Sequence, residues 1–199
     1  MYIVLDLEWN RPVSFSRKVK YPIQLNGEII QIGAVKLNEN LEEIDSFETF
    51  VKPKYYTKMN REVEELTGIH DDDLALGLAF PEAMNQFIEW CGSDNTVFTW
   101  GGTDLSVIRS NMIIHGMDVE NIPEFFDAQL MFDDLEMMEG KSYSLEYAVV
   151  YFNISGTNGH HALYDARDTA AVMRRFDVDE WVNEERLWRL ELEQEQMVS

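Results

Sequence analysis

A single cysteine, Cys91, leaves the chain without the means to form an internal disulfide, which fits a reducing compartment. Cys91 closes a helical stretch and reads as core filler rather than a nucleophile. Long apolar runs are missing too, since none approaches the roughly 18–20 residues that span a bilayer. The start of the chain shows no basic segment, apolar stretch and small-residue cleavage site of a secretory leader. A cytoplasmic protein with no membrane segment is expected. Positive charge is scarcest of all: 16 Lys and Arg face 37 Asp and Glu, a net charge of −21. That deficit argues against the long basic track by which nucleic-acid binders hold extended strands. It is uneven, with a balance of +1 over residues 1–61, −17 over 62–158 and −5 over 159–199. The positive charge gathers in Arg11/Arg17/Lys18/Lys20 and Lys52/Lys54/Lys58/Arg61. What remains is a globular composition, with length for one domain and a substantial core. No repeat or low-complexity linker divides it, and nothing sets an oligomeric state.

The rest of the chain is organised around its first ten residues. Tyr2 to Leu5 is an apolar run of strand-formers, followed by Asp6 and Glu8 at i and i+2. Side chains alternate along a strand, so these two carboxylates point the same way. Held side by side on a buried strand they repel, unless a cation sits between them. Hard carboxylate oxygens suit Mg²⁺ or Mn²⁺.

Arg11 to Gly27 reads as a long loop, and loops of that length tend to be functional or mobile. Glu28 to Lys36 is a strand, Asn38 to Asn40 a turn and Ile44 to Val51 a third strand stopped by Pro53, together an antiparallel meander. Asn60 caps a short helix to Leu66, which Thr67-Gly68-Ile69 breaks. Ala79 to Trp90 is helical, with Pro81 in its first turn. Asn95 to Trp100 is a strand, and Gly101-Gly102-Thr103-Asp104 turns into a helix with Ile108, Met112 and Ile113 at core spacing. Phe125-Phe126 forms a short strand, followed by helices near Gln129–Met138 and Ser144–Tyr151. After a flexible loop at 156–159 comes a helix from Ala162 to Phe176, with Ala166, Ala170 and Met173 inward. A last helix near Asp179–Gln196 sets Trp181, Leu187, Trp188 and Leu190 among acids.

Asp104 at a strand-to-helix junction, Asp165 on the Ala-rich helix and the pair His160-His161 before it complete a constellation. In this arrangement the sequence resembles the DEDDh (DnaQ-like) 3′→5′ exonucleases. Asp6-Leu7-Glu8 is similar to that family's first motif, and Glu28 to Val35 to the strand after it. Trp100-Gly-Gly-Thr-Asp104 looks like the second motif, in the form seen in the KapD-like and small-RNA-processing branch. His160-His-Ala-Leu-Tyr-Asp165-Ala166 is similar to the third, and Leu66-Thr-Gly-Ile69 to the loop that touches the terminal nucleotide. The resemblance covers residues 2–176, leaving 11–27 as an insertion and 177–199 as an acidic helical extension. It implies an α/β, RNase H-like fold: a central mixed five-stranded sheet, meander first and then parallel strands, flanked by helices.

It also implies a two-metal hydrolysis of phosphodiesters from the 3′ end of single-stranded RNA or DNA, releasing nucleoside 5′-monophosphates. Asp6, Glu8 and Asp165 would hold the ion that activates water. Asp6 would bridge to a second Mg²⁺ or Mn²⁺, with Asp104 assisting. A histidine would serve as general base. Helical spacing favours His161, at i−4 from Asp165; the family pattern assigns His160, and His160 is taken with His161 in reserve. Gly156 and Gly159 would let that loop move. Leu7, Trp9, Leu66, Thr67 and Trp100 are the expected substrate contacts. Aromatic stacking on Trp9 would contribute about 1–3 kcal/mol per base. The acidic middle segment points to short substrates fed past the two basic stretches, with RNA favoured through the Trp-Gly-x-x-Asp form. Two alternatives stand beside this reading. One is a proofreading subunit docked on a polymerase through the 177–199 helix or the acidic surface; the other is a catalytically silent binding module of the same fold.

Overall fold

The computed structural model describes residues 1–93, 96–135, 142–156 and 159–198. Strands β1 (Tyr2–Asn10), β2 (Glu28–Leu37) and β3 (Glu43–Lys52) come first, then helices α1 (Arg61–Thr67) and α2 (Asp71–Ala75). Strand β4 (Leu78–Ala79), helix α3 (Phe80–Cys91), strand β5 (Thr96–Thr99) and helix α4 (Thr103–Ile114) follow. Strand β6 (Phe125–Asp127) precedes helices α5 (Ala128–Leu135), α6 (Leu145–Tyr151), α7 (Ala162–Met173) and α8 (Val178–Val198).

The sheet runs β4-β3-β2-β1-β5-β6. β1, β2 and β3 form the antiparallel meander, and β5 and β6 add in parallel on the far side of β1. The five expected strands are present, and two-residue β4, parallel to the end of β3, makes a sixth at the edge. Because β1 is central, both its faces are covered. Ile3, Leu5 and Leu7 pack with Met84 and Phe87 of α3 and with Ile108 and Met112 of α4. Val4 packs oppositely with Ala166, Ala170 and Met173 of α7 and Val178 and Val182 of α8. By strand alternation Asp6 and Glu8 belong to the α7 side.

Several local choices follow from chemistry in the sequence. The Asn60 side chain accepts the Glu62 amide and caps α1, and Gly68 ends it at φ 70°, a conformation that favours glycine. α3 carries its proline in the first turn and buries Ala83, Met84, Phe87 and Cys91 along one stripe. Cys91 is fully buried, and desolvation pushes its thiol up to about 12, so it is core filler as expected. The first turns of α8 set Trp181 against Phe98 and Phe126. Further along the helix Leu187, Trp188 and Leu190 are exposed. The 11–27 segment is anchored: Leu25 is fully buried, its carbonyl accepts the Tyr56 hydroxyl at 2.7 Å, and that hydroxyl accepts the Val19 amide at 3.1 Å. Beside it the buried Glu28 carboxylate accepts three consecutive amides, from Lys54, Tyr55 and Tyr56.

Some details differ from the sequence reading. Ile113 is exposed, because five residues beyond Ile108 is about 140° round the helix; Asn111 takes the inner position instead. α7 ends at Met173, with a turn at 174–175. α2 was not foreseen. Residue 95 of the expected fourth strand, 136–138 of the expected 129–138 helix, 157–158 of the loop and Ser199 of the extension lie outside the described residues. Among the described residues no helix is long and apolar enough to cross a membrane.

Candidate active site

Strand register explains how distant acids meet. Asp6 lies opposite Gly33 on β2, and Glu8 opposite Gln31. A Cβ at Gly33 would fall 2.1 Å from the Leu163 nitrogen and 2.6 Å from its Cα. Only glycine lets the first turn of α7 lie directly on the sheet there. Gln31, fully buried, fixes that turn by accepting the Ala162 amide at 3.1 Å through Oε1. Asp165, one turn on, is thereby delivered beside Glu8. Its Oδ2 accepts the His160 amide at 2.7 Å, which helps hold His160 at φ 67°, a left-handed conformation rare for a side chain other than glycine. One ligand atom each from Glu8, His160 and Asp165 lie within 4.8 Å of one another.

The two histidines part company. His160 lines the cleft with the acids. His161, at the N-cap of α7, turns its Nε2 to within 3.3 Å of Glu48 on β3 and stacks on Tyr164. Asp104 arrives from the other side, in the first turn of α4. The turn before it is held where the Gly101 amide, at φ 86°, donates to Asp127 Oδ1 at 2.8 Å, and Trp100 Nε1 donates to the Tyr143 carbonyl at 3.0 Å.

Four carboxylates now share one poorly hydrated floor, and each resists ionisation. Desolvation, then Asp104, Glu8 and Asp165 in turn, holds Asp6 well above the usual carboxylate range. Glu8 is pushed up to about 8 by desolvation and then by Asp165 and Asp104. Burial takes Asp104 to about 7, against the pull of its own amide and that of Leu7. Asp165 is raised by desolvation, opposed by the His160 amide. Asp104 is only 4% exposed, yet its Oδ1 has no hydrogen-bond partner among the described residues. A buried carboxylate oxygen without a donor, amid three more acids, fits a hard divalent cation.

The sequence pattern of the exonuclease family, of RNase T type, matches residues 3–173. The chain belongs to that family, the DnaQ-like exonucleases. It is 30% identical over 178 residues to a PolC-type DNA polymerase III of Clostridium perfringens, covering 87% of this chain but 11% of the relative. It therefore spans about a tenth of that polymerase's length. It is 25% identical over 170 residues to the probable 3′-5′ exonuclease KapD of Bacillus subtilis, covering 84% and 80% of the two chains. The nuclease domain of 3′hExo, a DEDDh family member solved bound to rAMP, superposes with a TM-score of 0.74 at 20% identity, covering 89% and 92%. At that identity the likeness concerns the fold.

The exonuclease cleft, about 450 Å³, is lined by all ten residues singled out from the sequence, with Arg11, Val63, Thr103 and Leu145. Their situations differ. Leu7 buries its side chain in the core, so its amide is what bears on Asp104. The Trp9 ring lies against Gly27, where a Cβ would meet its Cδ1 at 2.3 Å; it is part core, part cleft wall. Leu66, 52% exposed, stands free on α1, and the Thr67 hydroxyl donates to the Val63 carbonyl at 2.9 Å. Of the eight basic residues in the two stretches, Arg11 alone lines the cleft. Sequence reasoning missed Gln31, Gly33 and Asn10. Asn10, fully buried at the end of β1, donates to the Tyr56 and Lys58 carbonyls at 2.8 and 3.0 Å and accepts the Arg11 and Asn60 amides, both at 2.9 Å. It ties the start of α1 to the end of β1. Its position right after Asp-Leu-Glu-Trp was the available signal.

Proposed function

We propose that this protein is a metal-dependent 3′→5′ exonuclease acting on short single strands, RNA in preference to DNA, and releasing nucleoside 5′-monophosphates. The observation that carries the reading is the meeting of Asp6, Glu8, Asp104 and Asp165 with His160 in one cleft, where Asp104 keeps a buried oxygen without a donor. Asp6, Glu8 and Asp165 would hold one divalent ion, and Asp6 with Asp104 a second. Bound Mg²⁺ or Mn²⁺ supplies charge neutralisation at the phosphate and a more acidic attacking water. The chain's own residues do the rest. His160 accepts the water proton on its ring nitrogen, and the Asp165 carboxylate positions the His160 backbone. Leu66 wedges beside the terminal base, Thr67 and the main chain near Leu7 face its sugar, and Trp9 and Trp100 close the walls. The RNA preference is supported by the rAMP bound in the similarly folded 3′hExo nuclease domain and by the Trp-Gly-x-x-Asp form; the single cysteine supports a cytoplasmic setting.

The similarity to PolC favours a second reading, a proofreading module that works beside a polymerase on DNA. The exposed Leu187, Trp188 and Leu190 on the acidic 177–199 extension would then be its dock. A time course on 5′-labelled RNA and DNA oligonucleotides in Mn²⁺, Mg²⁺ or EDTA tests both. A metal-dependent ladder from the 3′ end, faster on RNA and lost in Asp6→Ala and His160→Ala, is expected. Faster cleavage of DNA would favour the proofreading reading, and no cleavage of either by folded protein in metal would leave a silent module.

A further inference from the structure

The cleft is acidic, and Arg11 is the only Lys or Arg lining it among the described residues. It follows β1 directly, and Asn10 Oδ1 fixes its amide at 2.9 Å. In the free protein its Nη2 rests 3.4 Å from Glu62 Oε2 on the first turn of α1, one turn before Leu66. That contact is long and solvent-exposed on both partners, so it holds the guanidinium near the cleft without committing it.

A 3′-hydroxyl-terminated strand tells us which anion remains for such a cation. The terminal nucleotide carries one phosphate, the scissile one, which divalent ions held by the four carboxylates would neutralise. Every other anion lies upstream. Arg11 shares a cleft with the four acids rather than sitting on a distant surface, so the anion within its reach is the next phosphate along.

We propose that Arg11 leaves Glu62 to hold the first phosphate upstream of the scissile bond, so that the cleft discriminates for substrates carrying at least two phosphates. A dinucleotide with a 5′-phosphate has that second anion, whereas a dinucleoside monophosphate lacks it. This rests on the exonuclease reading and names the feature by which that site selects the smallest substrates. Arginine suits the task because its planar fork meets two phosphate oxygens at once.

The test compares kcat and KM on a 5′-phosphorylated dinucleotide and on its unphosphorylated counterpart, in Mn²⁺ at low salt. In the wild type the phosphorylated substrate is expected to win in kcat/KM by about tenfold, mostly through KM, as one charge-assisted contact supplies. Arg11→Gln collapses that ratio towards one, and on longer strands it flattens the salt dependence of log kcat/KM by about 0.7, as loss of one phosphate contact on a single strand requires. Glu62→Gln, which removes the resting partner, keeps or widens the ratio. Thermal unfolding of each variant confirms that it is folded. A wild-type ratio of one, or a ratio that survives in Arg11→Gln, overturns the proposal. Cleavage of longer 5′-labelled strands by the same preparations keeps the two ideas apart: its absence in the wild type defeats the exonuclease reading itself, and this proposal with it.

Discussion

The four carboxylates make a prediction about stability that needs no substrate. Glu8, Asp104, Asp6 and Asp165 all have proton affinities raised by the fold. For an acid raised in the native state, the native protein binds more protons than the unfolded chain between the two values. Stability is then fully present below the unfolded value and lost as pH rises through the folded one. For Glu8 that window runs from 4.5 to about 8, and for Asp104 from 3.8 to about 7. At about 1.4 kcal/mol per tenfold change in proton affinity, Glu8 alone would lose about 5 kcal/mol across its window if nothing moved. Local opening that admits water relieves part of this, so a net loss of about 2–3 kcal/mol is expected. For a chain of this size that is a fall in Tm of about 5–10 °C from pH 5 to pH 8 in EDTA. Millimolar Mn²⁺ or Mg²⁺ at pH 8 restores most of it, and does little at pH 5 where the acids are protonated. Asp6→Asn, isosteric but uncharged, raises the metal-free Tm at pH 8 and shrinks the gain from metal. Exposed Glu39→Gln, a control for the overall negative charge, does neither. Differential scanning calorimetry reads all of this. A metal-free Tm that is flat or rising from pH 5 to 8, or an Asp6→Asn protein less stable than wild type in EDTA at pH 8, would refute the reasoning.

Other outcomes follow from the same geometry. His160→Gln should lower kcat by about 10²–10⁴ with Tm unchanged, whereas His161→Gln, whose parent ring faces Glu48, should lower it by less than about tenfold; a larger loss at His161 would reverse the assignment of the base. Gly33→Ala drives a methyl into the α7 backbone and should cost about 3 kcal/mol by thermal unfolding, while weakening Mn²⁺ binding measured by calorimetry. Asn10→Ala removes four hydrogen bonds of a fully buried side chain and should cost about 2–4 kcal/mol, raising KM through the loosened α1 more than it lowers kcat. Burial beside Phe80, with Lys54 nearby, lowers the proton affinity of His115, so its contribution is present above about 6.5 and lost as pH falls below it. His115→Leu should therefore make the metal-free protein gain more stability than the wild type does as pH is lowered from 7 to 5.

Much of the site was legible because its signals are local. Asp6 and Glu8 declare a shared face through strand alternation, Asn60 and Gly68 bracket α1, and Pro81 marks the first turn of α3. The placement of Asp104 and Asp165 against them came from ordered motifs, not from any periodicity. What escaped depends on long-range register. Nothing near Gly33 says that α7 will land on it, and Gln31 caps a helix that begins 131 residues later. Asn10 looks like a polar residue leaving a strand until its four partners, up to 50 residues away, are in place. The choice between the histidines was of the same kind. Helical spacing favoured His161, but the α7 axis begins only at Ala162, so His161 is at the cap and turns to the sheet instead.

The Glu28 carboxylate has a consequence for the second basic stretch. Three successive amides converging on one oxygen pair is how backbones commonly grip a phosphate. Here that grip is closed from within, by a side chain of β2. Lys52, Lys54 and Lys58 thus ride on a segment whose strongest claim on an anion is already satisfied. The chain carries a resident competitor against nucleic acid at that place, which leaves Arg11, the one basic residue of the two stretches that lines the cleft, to meet an incoming strand.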